Sequence, residues 1–248
     1  MNRHYKCPVV HFTGAVGGLM APPSRIADPD TGDVHPDGTF EFASAYGKHV
    51  AQMARQAIDH SQPIATTPMD AVSRHILVPL TNPLYLTARR LRVIQRDAFE
   101  WRGDPTGDRH AWQPDRAAAI ETEVVCIRLG DLFIVGVPGE LYPELIDGRF
   151  QNPVEPNVDF PDAPLEPTLT SMIRGNRSRM MILGLANDEI GYIMPKRQWD
   201  LAAPFAYGRS SAQYGEVNSV GPDAAPVVMT ALRDVVDATR AARAVPSH

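Results

Sequence analysis

The sequence predicts an α+β fold, a mixed or antiparallel sheet with flanking helices, on three observations. Early in the chain, apolar residues recur at helical spacing. Through the middle, short runs rich in Val, Ile and Leu are separated by turn formers, and the chain closes on a second helical pattern. No internal repeat appears and no linker divides the chain, so residues 1–248 read as a single domain.

The elements follow in order. "CPVVHF", residues 7–12, reads as a buried strand feeding the glycine-rich turn "TGAVGG". "DPDTGDVHPDG", Asp28 to Gly38, is dense in turn formers and reads as a loop. Its acids miss the EF-hand order, because glycine and aspartate are swapped at Gly32 and Asp33. From Glu41 to His60, Phe42, Ala45, Tyr46, His49, Val50, Met53, Ala54, Ala57 and Ile58 form one apolar stripe at three- and four-residue spacing. His49 and His60 read as structural or surface residues of that helix.

Strand-like runs come next: "HILVPL", "YLTARRLRVI", "TEVVCIRLG" and "DLFIVGVPG". The last two are separated by Gly130-Asp131 and predict a β-hairpin with a tight turn. Residues 153–167, "PVEPNVDFPDAPLEP", hold five prolines without an apolar period and predict an extended loop. "MMILGLAN" reads as a short buried strand with a polar end. "GPDAAPVVMTALRDVVDATRAAR" reads as an amphipathic helix with Asp223 near its start.

Composition excludes several functions. A net charge of −5 and scattered Lys and Arg argue against nucleic-acid binding, which needs a basic face. The densest basic run, "RGNRSR" at Arg174 to Arg179, is short and reads as a solvated loop. Cys7 and Cys126 set no disulfide framework, and Cys126 inside "EVVCIRL" reads as a small core hydrophobe. No 18-residue apolar run predicts a transmembrane helix, and "MNRHYKCPVVHF" lacks the regions of a signal peptide. The compartment and the oligomeric state are left open.

General motifs are missing: there is no P-loop, no HExxH and no GxSxG. What stands out is polar residues at the ends of apolar strands: Glu140 after "FIVGVPG", Asn187 and Tyr192 in "ANDEIGYIMP", Tyr214 and Glu216 in "QYGEVNSVGP". Rigid scaffolds present chemistry at such places. The plainer possibility, that Tyr192 packs and Glu140 caps a turn, stands beside it.

The series "VVHFTGAVGG", "VVCIRLGDLFIVGVPGEL", "ILGLANDEIGYIMP" and "QYGEVNSVGPDAAP" resembles, in order, the catalytic domain of the neutral/alkaline non-lysosomal ceramidases. The resemblance implies a zinc-dependent amidohydrolase acting on a small-molecule or lipid amide. It implies that Glu140 and Tyr192 are Zn²⁺ ligands and that Tyr214 polarises the scissile carbonyl. A carboxylate suits zinc well and a phenolate is a rarer ligand. The family's two histidine ligands stand upstream of the glycine-rich segment, and none of His4, His11, His35, His49, His60, His75, His110 or His248 fits their motifs. Two expectations follow: this chain is the C-terminal part of such a catalytic domain, or it is a non-catalytic relative without the metal. Where the family carries G-D-x-S-P, this chain has Gly18 and then Met20 or Ala21, so another amide or an ester becomes plausible as substrate. A fragment would also expose an apolar sheet edge and tend to pair or aggregate.

Overall fold

A computed structural model describes residues 5–19, 22–173 and 179–241. The chain divides into two compact units, one over residues 1–12 and 19–64, the other over 13–18 and 65–248.

In the first unit, β1 (Arg25–Ala27) and β2 (Val34–Pro36) pair antiparallel around the acidic turn. Lys48 Nζ donates to the Asp28 carboxylate at 2.7 Å, and that hydrogen bond holds Asp28 below the usual carboxylate range. Lys48 comes from α1 (Phe40–Asp59), which starts where Thr39 Oγ1 accepts from the Phe42 N–H at 3.1 Å. The helix stands one residue earlier than its sequence pattern at both ends. Its apolar stripe is buried only at Phe42 and Ala45, while Met53 is 69% exposed. His49 and His60 both contact backbone carbonyls, of Ala27 and Gln56. The strand expected at residues 7–12 does not form: Val9, Val10 and Phe12 are more than half exposed. A strand needs a neighbouring ladder, and no described strand pairs with this run.

The second unit is built on a mixed sheet. The long strands β3 (Met69–Leu80) and β5 (Ala118–Leu129) pair antiparallel from Met69↔Leu129 to Leu80↔Ala118. The predicted hairpin is present: β6 (Leu132–Gly136) folds back on β5 across Gly130-Asp131, with Leu129 opposite Leu132. β8 (Met180–Leu183) joins β6 in parallel, and β4 (Phe99–Glu100) pairs with β5. Alternate residues of β5 are buried, among them Val124 and Cys126, as the period of a strand requires.

After the one-turn helices α3 (Glu144–Asp147) and α4 (Leu169–Met172), the closing amphipathic pattern forms α6 (Ala224–Ala241), which buries Val228, Met229, Leu232, Val235 and Val236 in a core shared with Ile76, Val78, Val124 and Cys126. Residues 153–167 form neither helix nor strand, in line with their prolines. "YLTARRLRVI" is not a strand. Its first half lies in α2 (Pro83–Arg90), where Asn82 Oδ1 accepts from the Leu84 N–H at 2.8 Å and Pro83 occupies the first turn. A capping asparagine followed by proline fixes a helix start, and that outweighed the β-prone side chains. Of the basic run, residues 174–178 lie outside the described residues, and Arg179 pairs with Asp131. No helix among the described residues is long and apolar enough to cross a membrane.

Burial separates the two helices in stability. Leu232→Ala, at a fully buried site in α6, should cost about 2–5 kcal/mol in urea unfolding. Met53→Ala on the exposed stripe should stay within about 0.5 kcal/mol. Equal effects would contradict this placing of the core.

Candidate functional site

The site begins where the parallel pairing of β6 and β8 runs past their ends. The Val137 N–H donates to Leu183 O at 2.8 Å, Ile190 N–H to Pro138 O at 2.9 Å and Glu140 N–H to Gly191 O at 3.1 Å. That ladder leads into β7 (Glu140–Leu141) and β9 (Tyr192–Ile193), which pair in parallel with Glu140 opposite Tyr192. Two glycines permit the close approach. A Cβ on Gly139 would stand 2.4 Å from Gly191 O, and one on Gly191, at φ +89°, would stand 2.0 Å from Asn218 O. The glycine-rich segment closes on the same strand, with the Gly17 N–H donating to Leu141 O at 2.9 Å.

Tyr214 arrives on the short helix α5 (Tyr214–Val217). Its ring meets the edge of Tyr192 at 5.8 Å between centroids, and Tyr142 meets Tyr192 in the same manner at 6.3 Å. Asn218 ties the elements together. Its carbonyl accepts from the Tyr192 N–H at 3.2 Å and from the Tyr85 hydroxyl at 3.0 Å. Its own N–H and Nδ2 donate to Tyr214 O at 3.1 and 2.8 Å. The structure therefore brings Glu140, Tyr192 and Tyr214 to one place, with Tyr192 buried and Tyr214 59% exposed. Asn187 goes elsewhere and donates to Glu123 at 3.0 Å.

The electrostatics are those of neutral phenols among carboxylates. Burial, followed by the charge of Glu140 and a hydrogen bond to it, pushes the Tyr192 phenol up to about 12. Burial, reinforced by Glu140, also raises Glu189, whose Oε1 accepts from the Gly191 N–H at 2.6 Å. Glu216 is 3% exposed, and burial, with the nearby charge of Asp200, pushes it to about 7. A further cavity, of about 250 Å³, is lined by Leu80, Ile94, Ile120, Ile190 and Val220 together with Tyr85, Arg89, Arg96 and Glu189.

Sequence reasoning missed Tyr142, Glu189, Tyr85 and Asn218. Asn218 acts mostly through its backbone, with one further hydrogen bond from its Nδ2, and carries no spacing signal. Glu189 could have been noticed in "ANDEIGY", three residues before Tyr192.

Whether zinc suits these residues is a matter of donor chemistry. A carboxylate and a phenol oxygen stand side by side on paired backbone, and both are oxygen donors that zinc accepts. They fit two positions of a coordination sphere and do not complete it. Among the described residues no group of three or more His, Cys, Asp or Glu side chains converges.

No protein-family model and no curated protein matches the chain. Among solved structures, the neutral ceramidase from Pseudomonas aeruginosa is 15% identical, with a TM-score of 0.46, over 90% of this chain and 36% of that one. A ceramidase complexed with C2 is 13% identical, with a TM-score of 0.41, over 82% of this chain and 34% of that one. The chain spans well under half the length of either.

The buried Glu216 makes stability depend on pH. Its folded value of about 7 lies above the ordinary 4.5, so between them the native state holds more proton than the unfolded chain. Stability then falls as pH rises through that window, by about 3 kcal/mol from this group alone, and the loss is complete above it. Glu216→Gln should flatten the fall in urea titrations at pH 4.5 to 7, and parallel curves for the two proteins would refute the assignment.

Proposed function

We propose that this chain carries part of the active centre of a ceramidase-like amide hydrolase, in which Glu140 and Tyr192 are ligands of Zn²⁺ and Tyr214 faces the scissile carbonyl. The observation that carries the reading is convergence. Three residues picked from separate motifs, 74 positions apart at their extremes (214 − 140), stand within ring contact or strand pairing of one another. Four motif segments in family order support the same reading.

When bound, zinc would supply Lewis-acid polarisation of the amide carbonyl and a more acidic water. The chain's own residues do the rest. The β7–β9 ladder holds the Glu140 carboxylate and the Tyr192 oxygen on adjacent backbone, so neither must be ordered when a metal arrives. The exposed Tyr214 hydroxyl is free to donate to the carbonyl oxygen of an amide as its charge develops. The cavity beside Tyr85 and Glu189 offers the apolar wall of Leu80, Ile94, Ile120, Ile190 and Val220 to an apolar part of the substrate.

A second reading has its own observation. Glu140 already accepts the Tyr192 hydrogen bond, and this satisfied pair would serve equally well as the closure of a binding or structural domain without metal.

Metal analysis after equilibration with Zn²⁺, joined to an assay on N-acyl amides, separates the two. The hydrolase reading expects bound zinc that falls in both Glu140→Gln and Tyr192→Phe. It also expects tyrosinate absorbance at neutral pH that is absent from Tyr192→Phe. Tyr214→Phe should keep the zinc and lower kcat by about 10²–10³. Zinc content unaffected by either ligand substitution, or no zinc and no hydrolysis, would leave the non-catalytic reading in its place.

A further inference from the structure

A cavity of about 550 Å³ opens where α2 ends. Arg89, Arg90 and Arg92 line it with Ile94, Gln95, Trp112 and Pro114, and no carboxylate stands among the lining residues. Among the described residues, none of these three guanidiniums makes a side-chain hydrogen bond or an ion pair, and neither does the Gln95 amide. Other arginines at cavities are engaged. Arg96 pairs with Asp188, Arg102 with Glu100 at 2.7 Å and Arg149 with Asp147 at 3.0 Å, while Arg209 stacks over Tyr207. In a chain of net charge −5, three like charges gather here unanswered.

Helix chemistry accounts for part of the cluster. A cation in the last turn of a helix answers the negative end of its dipole, and Arg89 and Arg90 stand there. Arg92 lies past the end. The Arg92 N–H donates to Arg89 O at 2.9 Å and the Val93 N–H to Ala88 O at 2.8 Å, so the helix closes in a Schellman turn with Arg92 at its left-handed position, φ +58°. Glycine is the usual residue there because a side chain is strained. The chain carries an arginine instead, and that arginine lines the cavity. The Trp112 wall is held in place, its backbone N–H donating to Ala98 O at 3.1 Å and its Nε1 to Arg116 O at 2.8 Å.

We infer that this cavity binds a soluble phosphate monoester, its dianion held by Arg89, Arg90 and Arg92 and its organic body lying against Trp112 and Ile94.

Guanidinium forks match phosphate oxygens in pairs and stay charged at any working pH. Three of them favour more than one negative charge. A carboxylate or a sulfate ester brings one, and a phosphate monoester brings close to two. The volume admits a body beyond the phosphate, for which Trp112, Ile94 and Pro114 supply an apolar wall and Gln95 a free amide. The cavity shares Arg89 and Ile94 with the one that holds Glu189, yet none of Glu140, Tyr192 and Tyr214 lines it, so the assignment does not depend on the hydrolase reading.

The test follows tryptophan fluorescence of the full chain, with Trp112→Phe identifying the contribution of Trp112. The probes are phenyl phosphate, phenyl sulfate, vesicles of phosphatidylglycerol, and sodium chloride at matched ionic strength. The expected result is a saturable change with phenyl phosphate that is absent from Trp112→Phe and at least about tenfold weaker with phenyl sulfate, as loss of a charged hydrogen bond implies. Replacing all three arginines by glutamine should abolish it. Arg92→Gly should weaken binding about three- to tenfold while raising the melting temperature by about 2 °C, since glycine relieves the strained position. Thermal melts establish that the variants fold. An equal response to phenyl sulfate, a response matched by sodium chloride, full affinity in the triple variant, a change that survives Trp112→Phe, or a response to vesicles alone would each overturn the assignment. Phosphate binding without zinc or amide hydrolysis would remove the hydrolase reading and leave this one standing, and hydrolysis without phosphate binding would do the reverse.

Discussion

The arrangement depends first on parallel backbone pairing. β6 and β8 are far apart in sequence, and their parallel contact continues through Val137, Pro138 and Gly139 into the short ladder of β7 and β9. Side chains set opposite each other on such a ladder are fixed by register, and a slip of one residue would turn Glu140 and Tyr192 to the wrong faces. Gly139 and Gly191 belong to this constraint, because a side chain at Gly139 would drive the strands apart and one at Gly191 would strike the Asn218 backbone that joins β9. The chemistry of the site is thus secondary to a packing condition on two glycines.

A second layer fixes the tyrosines. Tyr214 lies on a helix of only four residues, too short to hold its own position. Asn218 supplies what the helix lacks, joining α5, β9 and α2 through its carbonyl, its N–H and its amide side chain. Asn82 anchors the same stretch from the other direction: its Nδ2 donates to Val217 O and Ser219 O at 2.8 and 2.7 Å while its Oδ1 caps α2. The misread segment 85–94 therefore matters to the site, since its true helical start is the device that holds residues 217–219.

This explains what was legible in the sequence. The hairpin at Gly130-Asp131, the closing helix and the proline-rich loop each rest on local chemistry within a dozen or so residues, and local chemistry is written in the sequence. The parallel ladder is not local, and nothing in "GVPGE" or "EIGYI" states that the two will pair. Glu140, Tyr192 and Tyr214 could be picked out as polar residues at strand ends and by motif order. Glu189, three residues before Tyr192, could have joined them, whereas Tyr142 and Asn218 could not, because their part is played by burial and by hydrogen bonds made largely with backbone atoms.

Charge gives the site its final character. Tyr142 and Tyr192 are both held as neutral phenols, by burial first and by carboxylates second. Neutral phenols can donate hydrogen bonds, and they resist becoming phenolates while Glu140, Glu189 and Glu216 stand near without a buried cation. Any role for Tyr192 as an anionic ligand therefore requires a positive charge to enter between it and Glu140, where the same carboxylate that now opposes ionisation would share the cation with it. Around Tyr192 the fold has placed the carboxylates of Glu140 and Glu189, and a cation is the ligand that such surroundings favour.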